Sequence, residues 1–309
     1  MLCAAGALLS MSAADAAVSM NWLSVGDAGN VADATGYGAV SYSYRISAYE
    51  VTISQYAEFL NAKAATDSHG LYNTYMGSDS DVAGITRSGS SGSHAYSVIS
   101  GTEDKPITYV SWFDAARFTN WMANGQGNGD TETGVYTLNG ANSGVSFTAA
   151  ANAAYRLPTE DEWYKAAYYD PTKDGSGGYW KHAMQADNLV SNDVSANYYD
   201  DSYTNASGIY LTDVGSYIDQ TSYYGTYDQG GNVREWNDGV VDATNRSVRG
   251  GSWDNYEGNL PSTARNVYGP AHELYDGGFR VASAAVPEPS TSFLLCVSGL
   301  GLLCSRRRG

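Results

Sequence analysis

The chain has 309 residues, enough for one large domain or two small ones. Its net charge of −16 and isoelectric point near 4.4 give an acidic surface that repels phosphate backbones, which excludes nucleic acid as a partner. Glycine (35) and tyrosine (26) are abundant, and the three cysteines, Cys3, Cys296 and Cys304, all lie in apolar end segments, so the body has no disulfide, thiolate nucleophile or sulfur metal ligand.

Residues 1–17 are small and apolar, with Ala14-Asp15-Ala16 placed for a cut before Ala17. They read as an export signal without the usual basic n-region, as though the true start lay further upstream. The alternation from Val40 to Ile46 predicts a strand with one wet face. Glu50-Val51-Thr52 then opens a helix. Thr52 and Gln55 are spaced as a capping box, and Ile53, Tyr56, Ala57, Leu60 and Ala64 share one face. Residues 65–104, rich in Ser, Gly, Asp and Thr, predict an irregular excursion closed by Pro106. Pro106 to Val110 is a strand candidate. Ser111 with Asp114 starts a second helix, whose buried stripe is Trp112, Ala115, Phe118, Trp121 and Met122 and whose end is Asn124-Gly125. Thr159 with Glu162 starts a third, short helix. Its acidic first turn suits the helix dipole, so Glu160 and Glu162 need no catalytic explanation, and Arg156 and Lys165 are expected to pair with neighbouring acids.

Asp174 to Tyr224 is loop-rich and full of side-chain oxygens. The stretch from Gly225 to Trp253 follows, with two glycine pairs, Gly230-Gly231 and Gly250-Gly251, leading to Trp236 and Trp253. Paired glycines let a tight loop fold back with its carbonyls turned inward. Asp228 and Glu235 bracket the first turn. The stretch reads either as a glycine-rich loop fixing two core tryptophans or as an oxygen-lined site for a hard cation such as calcium. His69, His94, His182 and His272 are scattered without a metal-binding spacing and read as surface or structural residues.

Residues 286–309 hold Pro287-Glu288-Pro289, an apolar run from Phe293 to Cys304, and Arg306, Arg307 and Arg308. The run is shorter than the roughly 20 residues that span a bilayer comfortably, and the arginines mark a cytoplasmic side. This order resembles the PEP-CTERM sorting signal of Gram-negative bacteria. The resemblance implies recognition by an exosortase, transient inner-membrane association through the tail, and delivery to the cell surface or extracellular matrix.

The body, residues 18–285, resembles the formylglycine-generating enzyme family, also called the sulfatase-modifying factor domain. The likeness is carried by EVTISQYAEFLNA, PITYVSWFDAARFTNWMANGQG, RLPTEDEW, GGNVREW, RSVRGGSW and GGFRVA. It implies a C-type-lectin-like α+β fold, loop-rich, with few regular helices and short strands. It also implies structural calcium on the side chains of Asp228 and Glu235 and the carbonyls of Gly231 and Val233, and a second calcium site using Asn197 and the carbonyl of Tyr198. The family's oxidases hold copper(I) with two cysteine thiolates shortly after GGSW. Here Asn255 stands at roughly the first of those places and no cysteine at the second. Oxygen and amide ligands replace soft sulfur poorly, so no copper and no catalytic residue is expected, and a Cys-x-Pro-x-Arg peptide should not be converted. The reading is an exported, non-catalytic, calcium-stabilised binding or matrix module, directed at exopolysaccharide or another glycan. The alternative is an oxidoreductase of the sulfatase-modifying factor or nonheme iron family with a different metal site.

Overall fold

The computed structural model describes residues 17–149, 152–189, 191–205 and 208–285; residues 1–16, read above as an export signal, and the tail from 286 lie outside the described residues. The described chain is α+β, with three α-helices, short strands and long packed loops.

The helices sit where their caps predict. In α1 (Ile53–Lys63), Thr52 and Gln55 form both bonds of the capping box, and Ile53, Tyr56, Ala57, Phe59 and Leu60 are buried. In α2 (Trp112–Ala123), Ser111 and Asp114 do the same, but every residue from Trp112 to Met122 is buried, so the predicted stripe covers only part of the contact. A helix enclosed on all sides lies in the middle of a core. Its longer polar side chains find partners there: Asn120 bonds the carbonyls of Thr131 and Tyr136, and Arg117 bonds Glu132 and the carbonyl of Ala141, while Arg117 Nη1 and the Trp112 indole nitrogen have no hydrogen bond. In α3 (Glu160–Tyr168), Thr159 and Glu162 complete the third box.

The strands diverge more from the sequence reading. One three-stranded sheet joins β1 (Trp22–Val25), β2 (Tyr44–Ser47) and β11 (Ala282–Ala284), all antiparallel, so the two ends of the body meet. The strand expected from Val40 begins only at Tyr44, because pairing with β1 starts there. The excursion at 65–104 contains a hairpin, β3 (Ile85–Ser88) with β4 (Ala95–Val98). Its mostly exposed side chains leave little hydrophobic alternation to read. A second small pair is β5 (Tyr169–Asp170) with β6 (Gly178–Tyr179). Pro106 to Val110 is not a ladder strand; it makes isolated bridges, Thr52 to Pro106 and Val110 to Leu274. The four-stranded sheet runs β10 (Gly277–Phe279), β7 (Arg234–Val240), β8 (Arg246–Arg249), β9 (Asn266–Tyr268), with β10 parallel to β7.

The main core packs α1 and α2 against Trp236, Val248, Phe279 and Val281. Buried arginines bridge the layers. Arg156 pairs with Glu162, Arg249 and Arg265 converge on Glu160, and Arg246 pairs with Asp238 over the ring of Trp112. Glu160 and Glu162 are thus committed to ion pairs as well as to the first turn of α3. Lys165 differs from expectation. It is fully buried and donates to the carbonyls of Gly26 and Asp27 at 2.6 and 2.8 Å rather than to an acid.

Candidate functional site

The glycine-rich stretch folds as one clamped unit. The Gly231 amide donates to the Gly250 carbonyl at 2.9 Å, joining the two glycine pairs. Gly231 has φ +94°, and a Cβ there would strike the carbonyl of Asn197. That conformation and that contact both require glycine. Asn197 is tied to the same turn. Its carbonyl accepts from the Asn232 amide at 2.7 Å, and its side-chain amide donates to the Tyr210 carbonyl and to Asn232 Oδ1. Tyr198 packs beside Met184, Ala196 and Leu260. The residues read as two separate calcium loops therefore adjoin one another.

Beneath this unit lies a cluster of buried charge. Glu235, at the start of β7, is fully buried, and both its oxygens are engaged. Arg280 Nε and Nη2 reach them at 2.7 Å each, and the Trp163 indole donates to Oε2 at 2.8 Å. The guanidinium of Arg280 also donates to the carbonyls of Ser47, Ala48 and Tyr227. Asp228 Oδ2 accepts the Gly215 amide at 2.6 Å, and burial, with a contribution from nearby Glu235, pushes its pKa up to about 6. Asp228 also borders a cavity of about 10 Å³ with Thr226, Gln229 and Gly230, space for about one water.

The residue that sequence reasoning missed is Glu50. It is buried, and neither carboxyl oxygen has a hydrogen-bond partner. Its nearest cation, Arg280 Nη2, stands 3.9 Å away, with its fork already spent on Glu235. Burial first, then the charge of Asp228, raises the Glu50 pKa well above the ordinary carboxyl value. Glu50 also lines a cavity of about 190 Å³ with Ser47, Tyr49, Thr52 and Gln55. The only sequence signal was an acid just before a capping residue.

Glu50, Asp228 and Glu235 face the single cation Arg280, so with all groups ionised two negative charges are uncompensated. A buried charge of this kind takes up a proton or a cation. The side-chain donors of the cluster are carboxylate oxygens, which suit a hard cation such as calcium rather than a soft metal. Glu50 and Asp228 have the freer carboxyls; Glu235 is held by Arg280 and Trp163. Among the described residues no three His, Cys, Asp or Glu side chains are arranged to hold a metal by themselves, so a calcium ion here would draw on backbone carbonyls and water.

The segment after GGSW, Asp254 to Leu260, contains no sulfur. Asn255 Oδ1 accepts from Arg234 Nη2 at 3.1 Å, and Arg234 Nε is held at 2.9 Å by Asp276, which also accepts the Ser252 hydroxyl at 2.6 Å. Leu260 is fully buried. These residues do not fit copper(I).

No curated protein matches the chain. Among solved structures, it resembles the crystal structure of CarF at 20% identity and TM-score 0.51, covering 87% of this chain and 99% of that one. It resembles Treponema denticola variable protein 1 at 19% identity and TM-score 0.56, covering 87% and 96%. PvdO from Pseudomonas aeruginosa matches at 18% identity and TM-score 0.50, covering 85% and 91%. These likenesses establish the shared fold. A PEP-CTERM protein-sorting motif matches residues 285–308, a signal for exosortase sorting and export through a Gram-negative cell envelope. The sulfatase-modifying factor enzyme 1-like domain matches residues 27–285, and the chain belongs to that family.

Proposed function

We propose that this chain is a non-catalytic member of its family, exported and held at the cell surface or in the extracellular matrix as a calcium-stabilised binding module. The observation that carries the reading is the buried carboxyl of Glu50, which accepts no hydrogen bond, beside Asp228, in a cluster that would hold two excess negative charges with all its groups ionised. Calcium bound to these carboxyls, with carbonyls of the glycine-rich turn completing its shell, would neutralise that excess and lock the turn to the core. The lack of sulfur from Asp254 to Leu260 supports a role other than copper-dependent oxidation. Long loops on a rigid core support recognition, since such loops are where binding residues gather.

The test is metal analysis and thermal unfolding of the full chain, purified in detergent. Calcium at about 100 times its dissociation constant stabilises by about 2.7 kcal/mol, worth roughly 5–10 °C in a domain of this size. Chelator should remove the shift, and Glu50→Gln should weaken it. A Cys-x-Pro-x-Arg peptide given copper and oxygen should remain unconverted. Stoichiometric copper or iron in the purified protein, or turnover of that peptide, would overturn the reading.

A further inference from the structure

Tyr199, Tyr203 and Tyr210 come together at the surface with rings of the segment that begins at Trp253. Tyr256 contacts Tyr199 at 5.0 Å between ring centroids, and Tyr199 contacts Tyr203 at 4.8 Å. Tyr203 stacks on Tyr210 at 4.1 Å, with their planes 13° apart. Trp253 meets Tyr203, Tyr210 and Tyr275 at 5.6, 5.1 and 6.0 Å. Trp253 is buried and serves as the base, while Tyr256 and Tyr275 are 59% and 41% exposed.

Two of the outer rings are fixed by one carboxylate. The hydroxyls of Tyr203 and Tyr275 both donate to Asp254, at 3.0 and 2.5 Å, one to each oxygen. The rings are therefore pre-set before any ligand arrives, which lowers the ordering cost of binding. Tyrosine offers a wide apolar face and a polar edge with few rotatable bonds. The rim carries further carboxylates. Asp200 and Glu257 act electrostatically on Tyr198, and Asp201 acts on Tyr256.

This combination selects among ligands. Flat rings suit the C–H face of a pyranose. Carboxylate and phenol oxygens suit its hydroxyls. The carboxylates of Asp200, Asp201 and Glu257 repel carboxylated or sulfated polymers. We infer that this face binds a neutral hexose polysaccharide, an assignment that rests on the binding-module reading and names its ligand class.

The test is affinity electrophoresis of the full chain in detergent through gels containing hydroxyethylcellulose, dextran or alginate, with the calcium-dependent thermal shift measured on the same samples. The wild type should be retarded by at least one neutral glucan and not by alginate. Tyr256→Ala and Tyr275→Ala should each weaken retention about tenfold. Tyr275→Phe, which keeps the ring, should retain most of it. Tyr256 is exposed enough that its removal leaves the fold intact, which an unchanged melting temperature verifies. No retardation by either glucan, both alanine variants retarded as strongly as the wild type, stronger retention by alginate, or self-association through this face in place of glucan binding would overturn the inference. A calcium shift that persists without retention sinks this inference and leaves the calcium reading standing. Retention without a calcium shift does the reverse.

Discussion

Arg280 is the single residue on which the buried charge cluster depends. It is fully buried, and its fork serves Glu235, three backbone carbonyls and, at longer range, Glu50. Removing one partner of such a pair leaves the other as an uncompensated buried charge, a loss of about 3–5 kcal/mol. Arg280→Met should therefore lower the free energy of unfolding measured in urea by that amount at pH 7. Adding Glu235→Gln should recover part of the loss, because the carboxylate that Arg280 pairs most closely is then gone. A double variant no more stable than the single one would contradict this account. A second residue gives a pH dependence away from the cluster. Asp114 is buried at the start of α2 and faces Ser111, Arg117 and Glu273; burial pushes its pKa up to about 7. Its folded pKa lies above the unfolded value near 3.9, so its contribution is greatest below pH 4 and is lost as pH rises through 7. Asp114→Asn keeps an acceptor for Ser111 and removes the titration. In thermal melts, the fall in midpoint between pH 5 and pH 8 should be smaller in the variant than in the wild type.

At the scale of elements, the glycine-rich turn is held much more tightly than the segment that follows it. Gly231 combines a positive φ with a close approach to the Asn197 carbonyl, whereas Gly258 has open space and no unusual φ. Gly231→Ala should cost well over 1 kcal/mol and disturb the calcium-dependent shift, while Gly258→Ala should lie within about 0.5 kcal/mol of the wild type. Equal effects in a melting comparison would show that the turn is not clamped as described. The same contrast explains what the sequence could reveal. All three helix starts were legible, because a capping box is written in residues three apart, as Thr52 with Gln55, Ser111 with Asp114 and Thr159 with Glu162 show. The glycine pairs and their tryptophans were legible for the same local reason. The hairpin of β3 and β4 was not, since its exposed faces carry no hydrophobic period. Glu50 was missed because its meaning comes from Asp228 and Arg280, which are distant in the chain and adjacent only once β2, β7 and β10 are assembled. Lys165 was misread because its partners are carbonyls, and a carbonyl leaves no mark in the sequence.

For the whole molecule, closure of the body depends on its last few described residues. Strand β11 pairs with β2 along Ala282 to Ala284, and the backbone of Ala282 also bridges Arg156, with hydrogen bonds of 2.7 and 2.9 Å in the two directions. Val281 is buried in the main core, and Arg280 lies one residue before it. The sorting motif begins at residue 285, where this pairing ends. The fold and the sorting signal thus meet at a boundary set by the sheet: residues up to Ala284 contribute hydrogen bonds and buried surface to the body, and the motif follows at once. A chain ended after Ala285 should keep the melting temperature of the full-length protein. A chain ended after Phe279 loses Arg280, Val281 and the whole of β11, and it should not yield a cooperative thermal transition. The shorter truncation also removes the Val281 carbonyl that accepts the Ser47 amide, so it should in addition expose that amide to hydrogen exchange, even where helix α2 remains protected. If the shorter chain melts cooperatively near the wild-type temperature, the terminal sheet does not close the fold and the boundary between body and tail lies further upstream than Ala284.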